Sequence, residues 1–294
     1  MGSRNRWVMG LLPTMLGFGL GAWVVSSQYA PAQAPGGPKA PQAYVSDDPP
    51  YRALDANLFM QTAAEYRACC LQAYNTAIDR LKQAVAGKKD GWKPAVVLDL
   101  DETVFDNAGF QAMQLRSGLA YDQRLWDRWE EKSADRIGLI PGAKEFIDEA
   151  ERLGVGVVYI SNRNNKYREQ TKAALTRLGL PLANESDLKL SDEKTGTNKT
   201  SRRQEAEVAY HVLLYVGDNL RDFDERFRFP DLSKATGEEL DAAVRNRNAE
   251  VDATRSMWGN RWVILPNSAY GEWLKVLGRG KADLDRLVPV AKEK

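Results

Sequence analysis

Hydrophobic residues fall along this chain in two rhythms. Over residues 58–85 the apolar positions Ala63, Tyr66, Cys70, Ala73, Tyr74, Ile78, Leu81 and Val85 recur at three- and four-residue steps. That period predicts one long amphipathic helix, ended by Gly87 and the polar residues after it. Beyond it the rhythm changes. Residues 95–98, 155–160 and 212–216 are short, unbroken apolar runs, which predict strands buried on both faces, as in a parallel sheet. Residues 262–265 predict a fourth such strand and 187–190 a shorter fifth. Helical patterns at 142–152, 166–178 and 202–209 lie between them. Strands alternating with helices predict an α/β fold with a Rossmann-like parallel sheet, preceded by the N-terminal helix.

The first fifty residues follow neither rhythm. Arg4 and Arg6 precede an apolar stretch over residues 7–25, the pattern of a secretory signal or membrane anchor. Small residues at Ala32-Gln33-Ala34 offer a cleavage site, and the composition then stays rich in Pro, Ala, Gln and Gly to Pro50, as in an extended tether. The predicted organisation is a signal peptide or membrane anchor at 1–27, a Pro/Ala-rich linker at 28–50 and one folded domain at 51–294. The expected location is outside the cytoplasm: periplasmic, extracellular, or tethered to the outer face of a membrane.

Composition removes several classes of function. The 41 Lys and Arg balance 40 Asp and Glu, for a net charge of +1, and polymeric nucleic acid needs a clustered basic excess. With His211 the only histidine, zinc sites built on two or three His and phosphatases built on a His pair are excluded. His211 opens an apolar run and is read as a strand-entry residue. Cys69 and Cys70 are adjacent in a helical pattern, a spacing poorly suited to a disulfide, and are read as buried free thiols.

The polar residues that remain are placed where chemistry would need them. Asp99 and Asp101, Ser161, and Asp218 each follow an apolar run, and open α/β sheets bind ligands at the carboxyl ends of their strands. Asp99 and Asp101, two residues apart, repel each other unless a cation intervenes, and Mg²⁺ suits carboxylate oxygens. Such a site fits phosphate esters, since phosphoryl transfer is chiefly positioning and charge neutralisation. One carboxylate can act as nucleophile and a second as general acid and base.

The stretch Val96-Val97-Leu98-Asp99-Leu100-Asp101-Glu102-Thr103-Val104 resembles the first motif of the haloacid dehalogenase (HAD) superfamily. More narrowly it resembles the class C acid phosphatases, the group that includes the bacterial surface 5′-nucleotidase lipoproteins. Gly217-Asp218-Asn219-Leu220-Arg221-Asp222-Phe223 is similar to that group's second signature, as are residues 61–67, Ile160-Ser161-Asn162-Arg163 and residues 265–273. The resemblance spans roughly residues 55–275.

It implies a Mg²⁺-dependent phosphomonoesterase in which Asp99 is nucleophile and metal ligand. Asp101 would be the general acid/base and would offer its backbone carbonyl to the metal. Asp218 would be a further ligand and Asp222 a supporting carboxylate near the metal. Ser161 and the backbone beyond it, including Asn162, would bind the phosphoryl group. A lysine is also implied; Lys199 is favoured over Lys189 and Lys194 because it lies just before a predicted helix, which resembles the family's placement. Cap elements are expected around 105–140, and Trp92, Trp126 and Tyr270 are candidates to contact the leaving group. A small phosphomonoester is the expected substrate; a nucleoside monophosphate and a broad range of esters fit equally. The alternatives are a catalytically idle binding relative, which retention of Asp99 disfavours, and a phosphomutase of the same fold. The near relatives' lipid-modified cysteine has no counterpart in the N-terminal segment here, so a membrane tether would use the apolar stretch itself.

Overall fold

A computed structural model describes residues 53–277 apart from Lys88 and Ala120. The signal or anchor segment and the linker expected at 1–50 lie outside the described residues. In chain order the elements are α1 (Leu54–Thr62), α2 (Ala64–Ala86), β1 (Pro94–Leu98), β2 (Phe105–Asp106), α3 (Ala108–Ser117), α4 (Gln123–Lys132), β3 (Gly138–Leu139), α5 (Ala143–Arg152), β4 (Gly156–Asn164), α6 (Arg168–Arg177), β5 (Leu188–Ser191), α7 (Thr200–Ala209), β6 (His211–Gly217), α8 (Gly237–Ala253) and β7 (Trp262–Ile264).

Five strands form one sheet in the order β5-β4-β1-β6-β7, and every pairing in it is parallel. The order puts β1 at the centre, with β4 and β6 on either side. Successive β1 residues enter different cores, as the alternation of side chains along a strand requires. Val96 and Leu98 pack with Tyr74 and Leu81 of α2 and Phe146 of α5. Ala95 and Val97 pack on the other face with Ala206 of α7 and with Phe223 and Trp262. Helices on both faces explain why the strands read as continuous apolar runs.

The structure departs from the sequence reading at two places. The helix expected over 58–85 is two helices, because Ala63 is extended, with ψ 127°. The segments serve different partners: α2 packs on α5 and the sheet, whereas Gln61 of α1 donates to the Ala108 carbonyl at the start of α3. Cys70 is buried as expected, but Cys69 is exposed. Over residues 105–139, between β1 and α5, the chain forms the antiparallel β2–β3 pair and the helices α3 and α4, the region where cap elements were expected.

Candidate active site

The carboxyl ends of β1, β4 and β6 lie side by side, so residues remote in sequence meet there. β1 ends at Leu98, and the Asp99 amide still donates to the Val216 carbonyl of β6 at 3.0 Å. The chain then turns sharply: the amides of Thr103, Val104 and Phe105 all converge on the Leu100 carbonyl. Glu102 sits in that turn with φ +56°, a left-handed conformation that costs a residue with a Cβ about 1–2 kcal/mol. Surrounding contacts hold it there. The Glu102 amide donates to the Phe105 carbonyl, its carboxyl accepts from the Asn107 amide, and the Tyr74 hydroxyl donates to the Thr103 carbonyl at 2.6 Å. The long helix thus braces the loop that carries Asp99 and Asp101. Burial, then the nearby Asp101, hold the Glu102 carboxyl well above the usual range.

Asp218 follows β6 directly, and Asp222 ends the short helical turn beyond it. Asp222 folds back so closely that a Cβ at Gly217 would lie 2.4 Å from its Oδ2; only glycine leaves room for this approach. Its Oδ2 accepts from the Asn219 amide at 2.9 Å. One carboxylate oxygen from each of Asp99, Asp218 and Asp222 lies within 4.8 Å of the other two. Lys199, at the start of α7 and 3% exposed, donates to Asp99 at 2.6 Å and to Asp222 at 2.7 Å. Thr103 and Asn267 donate to the two oxygens of Asp218.

Three carboxylates against one ammonium leave the cluster two negative charges in excess. Burial pushes Asp99 well above the ordinary carboxylate range despite Lys199, and Asp222, Asp218 and Asp101 add to the rise. Burial and then Asp222 push Asp218 up to about 7, against the pull of Asn267, Lys199 and Thr103. Burial alone would lower Lys199, but Asp222 and Asp99 outweigh it and keep the ammonium charged. A divalent cation would neutralise the excess, and an all-oxygen donor set suits hard cations. The residues fit such an ion.

Asp101 is held apart from this cluster. Its Oδ1 accepts from Arg163 Nε at 2.8 Å and from Asn107 Nδ2 at 2.9 Å, and its Oδ2 accepts from Ser161 Oγ at 3.3 Å. Asp101 and Asp99 therefore have separate charge partners, one an arginine and the other a lysine.

Residues 51–273 match the family model described as HAD superfamily, subfamily IIIB (acid phosphatase). The chain belongs to this acid phosphatase family. Among solved structures it resembles the class C acid phosphatase from Bacillus anthracis, at 34% identity and a TM-score of 0.67, covering 78% of this chain and 89% of that one. A second structure from Bacillus anthracis, described as class C acid phosphatase with tungstate bound, gives 32% identity and a TM-score of 0.66, covering 81% and 94%. The acid phosphatase is thus a phosphoric monoester hydrolase with an α/β HAD-like fold, acting on small phosphomonoesters.

The acid phosphatase brings Asp99, Asp101, Ser161, Lys199, Asp218 and Asp222 to one rim. Ser161 lies within β4 rather than after it, because that strand runs on to Asn164. Of the other lysines, Lys189 pairs with Glu205 and Lys194 lies in an exposed turn capped by Asp192. The Asn162 side chain is exposed and accepts from Arg202, so its carbonyl oxygen is occupied. Trp126 lies beside the site, donating to Glu130, with the Arg163 guanidinium 5.6 Å from its ring. Tyr270 belongs to the loop that delivers Asn267 to Asp218. Trp92 is a correction. It precedes β1 and stacks on His211 with ring centroids 3.7 Å apart, at the amino ends of the strands, so the sheet separates it from the cluster.

Sequence reasoning missed Arg163, Asn107, Thr103, Asn267 and Glu130. Arg163 carried the clearest signal: it closes the motif Ile160-Ser161-Asn162-Arg163, two positions after Ser161. It is 1% exposed, and arginine is almost never fully buried unless paired.

Proposed function

We propose that this acid phosphatase hydrolyses phosphomonoesters through a phosphoryl group carried on Asp99, with Mg²⁺ as its metal. The observation that carries the reading is the convergence of Asp99, Asp218 and Asp222 within 4.8 Å of one another, beside a buried lysine shared by two of them. Asp99, Asp218 and Asp222 would hold the ion, together with the backbone carbonyl of Asp101. When bound, Mg²⁺ supplies positive charge that offsets the carboxylates and the phosphoryl oxygens.

An Asp99 oxygen attacks phosphorus while the bond from phosphorus to the ester oxygen breaks. The leaving oxygen takes its electron pair and the proton of Asp101. Water then attacks phosphorus and gives a proton to Asp101, and the bond to Asp99 breaks to release phosphate. Lys199 lies against Asp99 and offsets charge that builds up on the phosphoryl oxygens. Ser161 and the backbone beyond it orient the phosphoryl group. Tungstate is a tetrahedral oxyanion of the same shape as phosphate, and its presence in the relative supports an oxyanion site of this kind.

Trp126 in the cap and Tyr270 beside Asn267 are the aromatics retained as leaving-group contacts. A nucleoside monophosphate is one substrate they suit, since a base can stack on such rings. Arg4, Arg6 and the apolar stretch after them support export or tethering to a membrane. Asp99→Asn is expected to abolish hydrolysis of p-nitrophenyl phosphate while thermal unfolding stays cooperative; undiminished turnover refutes the nucleophile. Chelation by EDTA should remove activity and Mg²⁺ restore it. Full activity in excess chelator refutes the metal requirement.

A further inference from the structure

The two oxygens of Asp101 are treated very differently. Oδ1 accepts hydrogen bonds from Arg163 Nε at 2.8 Å and Asn107 Nδ2 at 2.9 Å, and Arg163 Nη2 lies 2.8 Å from it as a second ion-pair contact. Oδ2 has one long contact, from Ser161 Oγ at 3.3 Å. With two donors and a second guanidinium nitrogen against it, Oδ1 has no room for a proton; Oδ2 has.

The donors on Oδ1 are themselves fixed. Arg163 is 1% exposed, and its guanidinium carbon lies 5.0 Å from the Phe105 ring centroid and 5.6 Å from that of Trp126. Asn107 is fully buried. Its Oδ1 accepts from Trp129 Nε1 at 2.8 Å and from Arg163 Nη2 at 3.1 Å, which orients its amide nitrogen toward Asp101. Trp126 and Trp129 both lie on α4, and Glu130 next to Trp129 accepts from Trp126 Nε1 at 2.7 Å and from the Asn164 amide of β4 at 3.1 Å. The cap helix is thereby tied to the strand that carries Arg163.

We propose that Arg163 is a positioning residue that locks Asp101 with Oδ2 as its proton-carrying oxygen, and that α4, through Trp126 and Glu130, holds Arg163 in place. The proposal rests on the reading of Asp101 as general acid. Donation to the leaving oxygen converts Asp101 to its carboxylate. Arg163 then faces the charge just formed, on the oxygen that never held the proton, and water returns the proton to Oδ2 in the second step. An arginine serves where a lysine would not, because its planar fork donates to Asp101 through Nε and to Asn107 through Nη2 while stacking on aromatic faces.

The test compares leaving groups. An alkyl phosphate releases a strongly basic alcohol that must be protonated, whereas p-nitrophenolate leaves unaided. In wild type, Arg163→Met, Arg163→Lys and Asp101→Ala, kcat/KM is measured for glycerol phosphate and p-nitrophenyl phosphate, with thermal unfolding as a folding check. General acid catalysis contributes on the order of 10²–10⁴-fold. Asp101→Ala should therefore depress glycerol phosphate turnover by at least about a hundredfold more than the aryl ester. Arg163→Met, which keeps much of the apolar packing, should depress it about tenfold or more beyond the aryl loss, with Arg163→Lys in between.

Equal losses on both substrates, or none, in Arg163→Met overturn the positioning role. If that variant does not fold, an unchanged substrate ratio in Arg163→Lys overturns it instead. Equal losses in Asp101→Ala itself overturn the general-acid reading, and the positioning role with it, which separates the two failures.

Discussion

Replacing Gly217 by alanine tests how closely the cluster is packed. The backbone of Gly217 is not left-handed, so the consequence lies in the added methyl group alone. It would stand 2.4 Å from Asp222 Oδ2 and 2.5 Å from Asp222 Cβ, where real Cβ atoms essentially never come within 3.0 Å. Asp222 must retreat by roughly 1 Å to reach ordinary contact distance. That retreat breaks its 2.9 Å bond from the Asn219 amide or its 2.7 Å bond from Lys199. A hydrogen bond to a charged group contributes about 1.5–3 kcal/mol, and each 1.4 kcal/mol is tenfold. Gly217→Ala should thus raise the Mg²⁺ concentration for half-maximal hydrolysis of p-nitrophenyl phosphate by about 10- to 150-fold. The assay is a Mg²⁺ titration of the wild type, Gly217→Ala, Asp222→Gly and the double variant. In the Asp222→Gly background the new methyl meets no Asp222 side chain, so the second substitution should add little. If the two losses instead add fully, the clash with Asp222 is not the cause and the packing argument fails.

Two further predictions concern residues outside the cluster. Burial, then Asp101, raise Glu130 to about 7 against the pull of Arg163 and of the Asn164 and Trp126 hydrogen bonds. The folded protein therefore holds a proton there that the unfolded chain releases near 4.5, and stability falls as pH rises between those values, by about 3 kcal/mol at most. Glu130→Gln keeps an acceptor for Trp126 and removes this penalty; it should raise Tm at pH 8 and change it little at pH 4. Equal shifts at both pH values would contradict the assignment. Trp92→Ala should leave kcat/KM for a nucleoside monophosphate unchanged, because Trp92 stacks on His211 at the far end of the sheet; a large rise in KM would return it to the substrate site.

The fold was legible because its central strands are buried on both faces, so residues 95–98, 155–160 and 212–216 had to be apolar throughout. The meeting of Asp99 and Asp218 at one rim followed from their places at strand ends; the family resemblance implied a lysine, and Lys199 stood out among three by its place just before a predicted helix. What stayed hidden depends on contacts between elements. Nothing local marks Ala63 as a break; alanine is a strong helix former, and it is extended because α1 turns toward α3. The isolated apolar periodicity could not show that α1 and α2 serve different partners. Nor could spacing show that Arg163 reaches back to Asp101, since that depends on the register between β1 and β4. Trp92 was misjudged because an aromatic close in sequence to Asp99 lies a whole strand length from it. The 17-residue α8 carries its apolar residues sparsely and buries only Ala243, so it left little rhythm to read.

The central claim is tested most directly by trapping the phosphoryl group. The enzyme is mixed with Mg²⁺ and a fast aryl phosphate, quenched in acid within one turnover, reduced with borohydride and digested for mass spectrometry. An acyl phosphate on Asp99 would be reduced to homoserine at that position alone, and the product would be absent from Asp99→Asn. Finding no homoserine at position 99 during steady turnover, or finding it at another aspartate, would contradict the account.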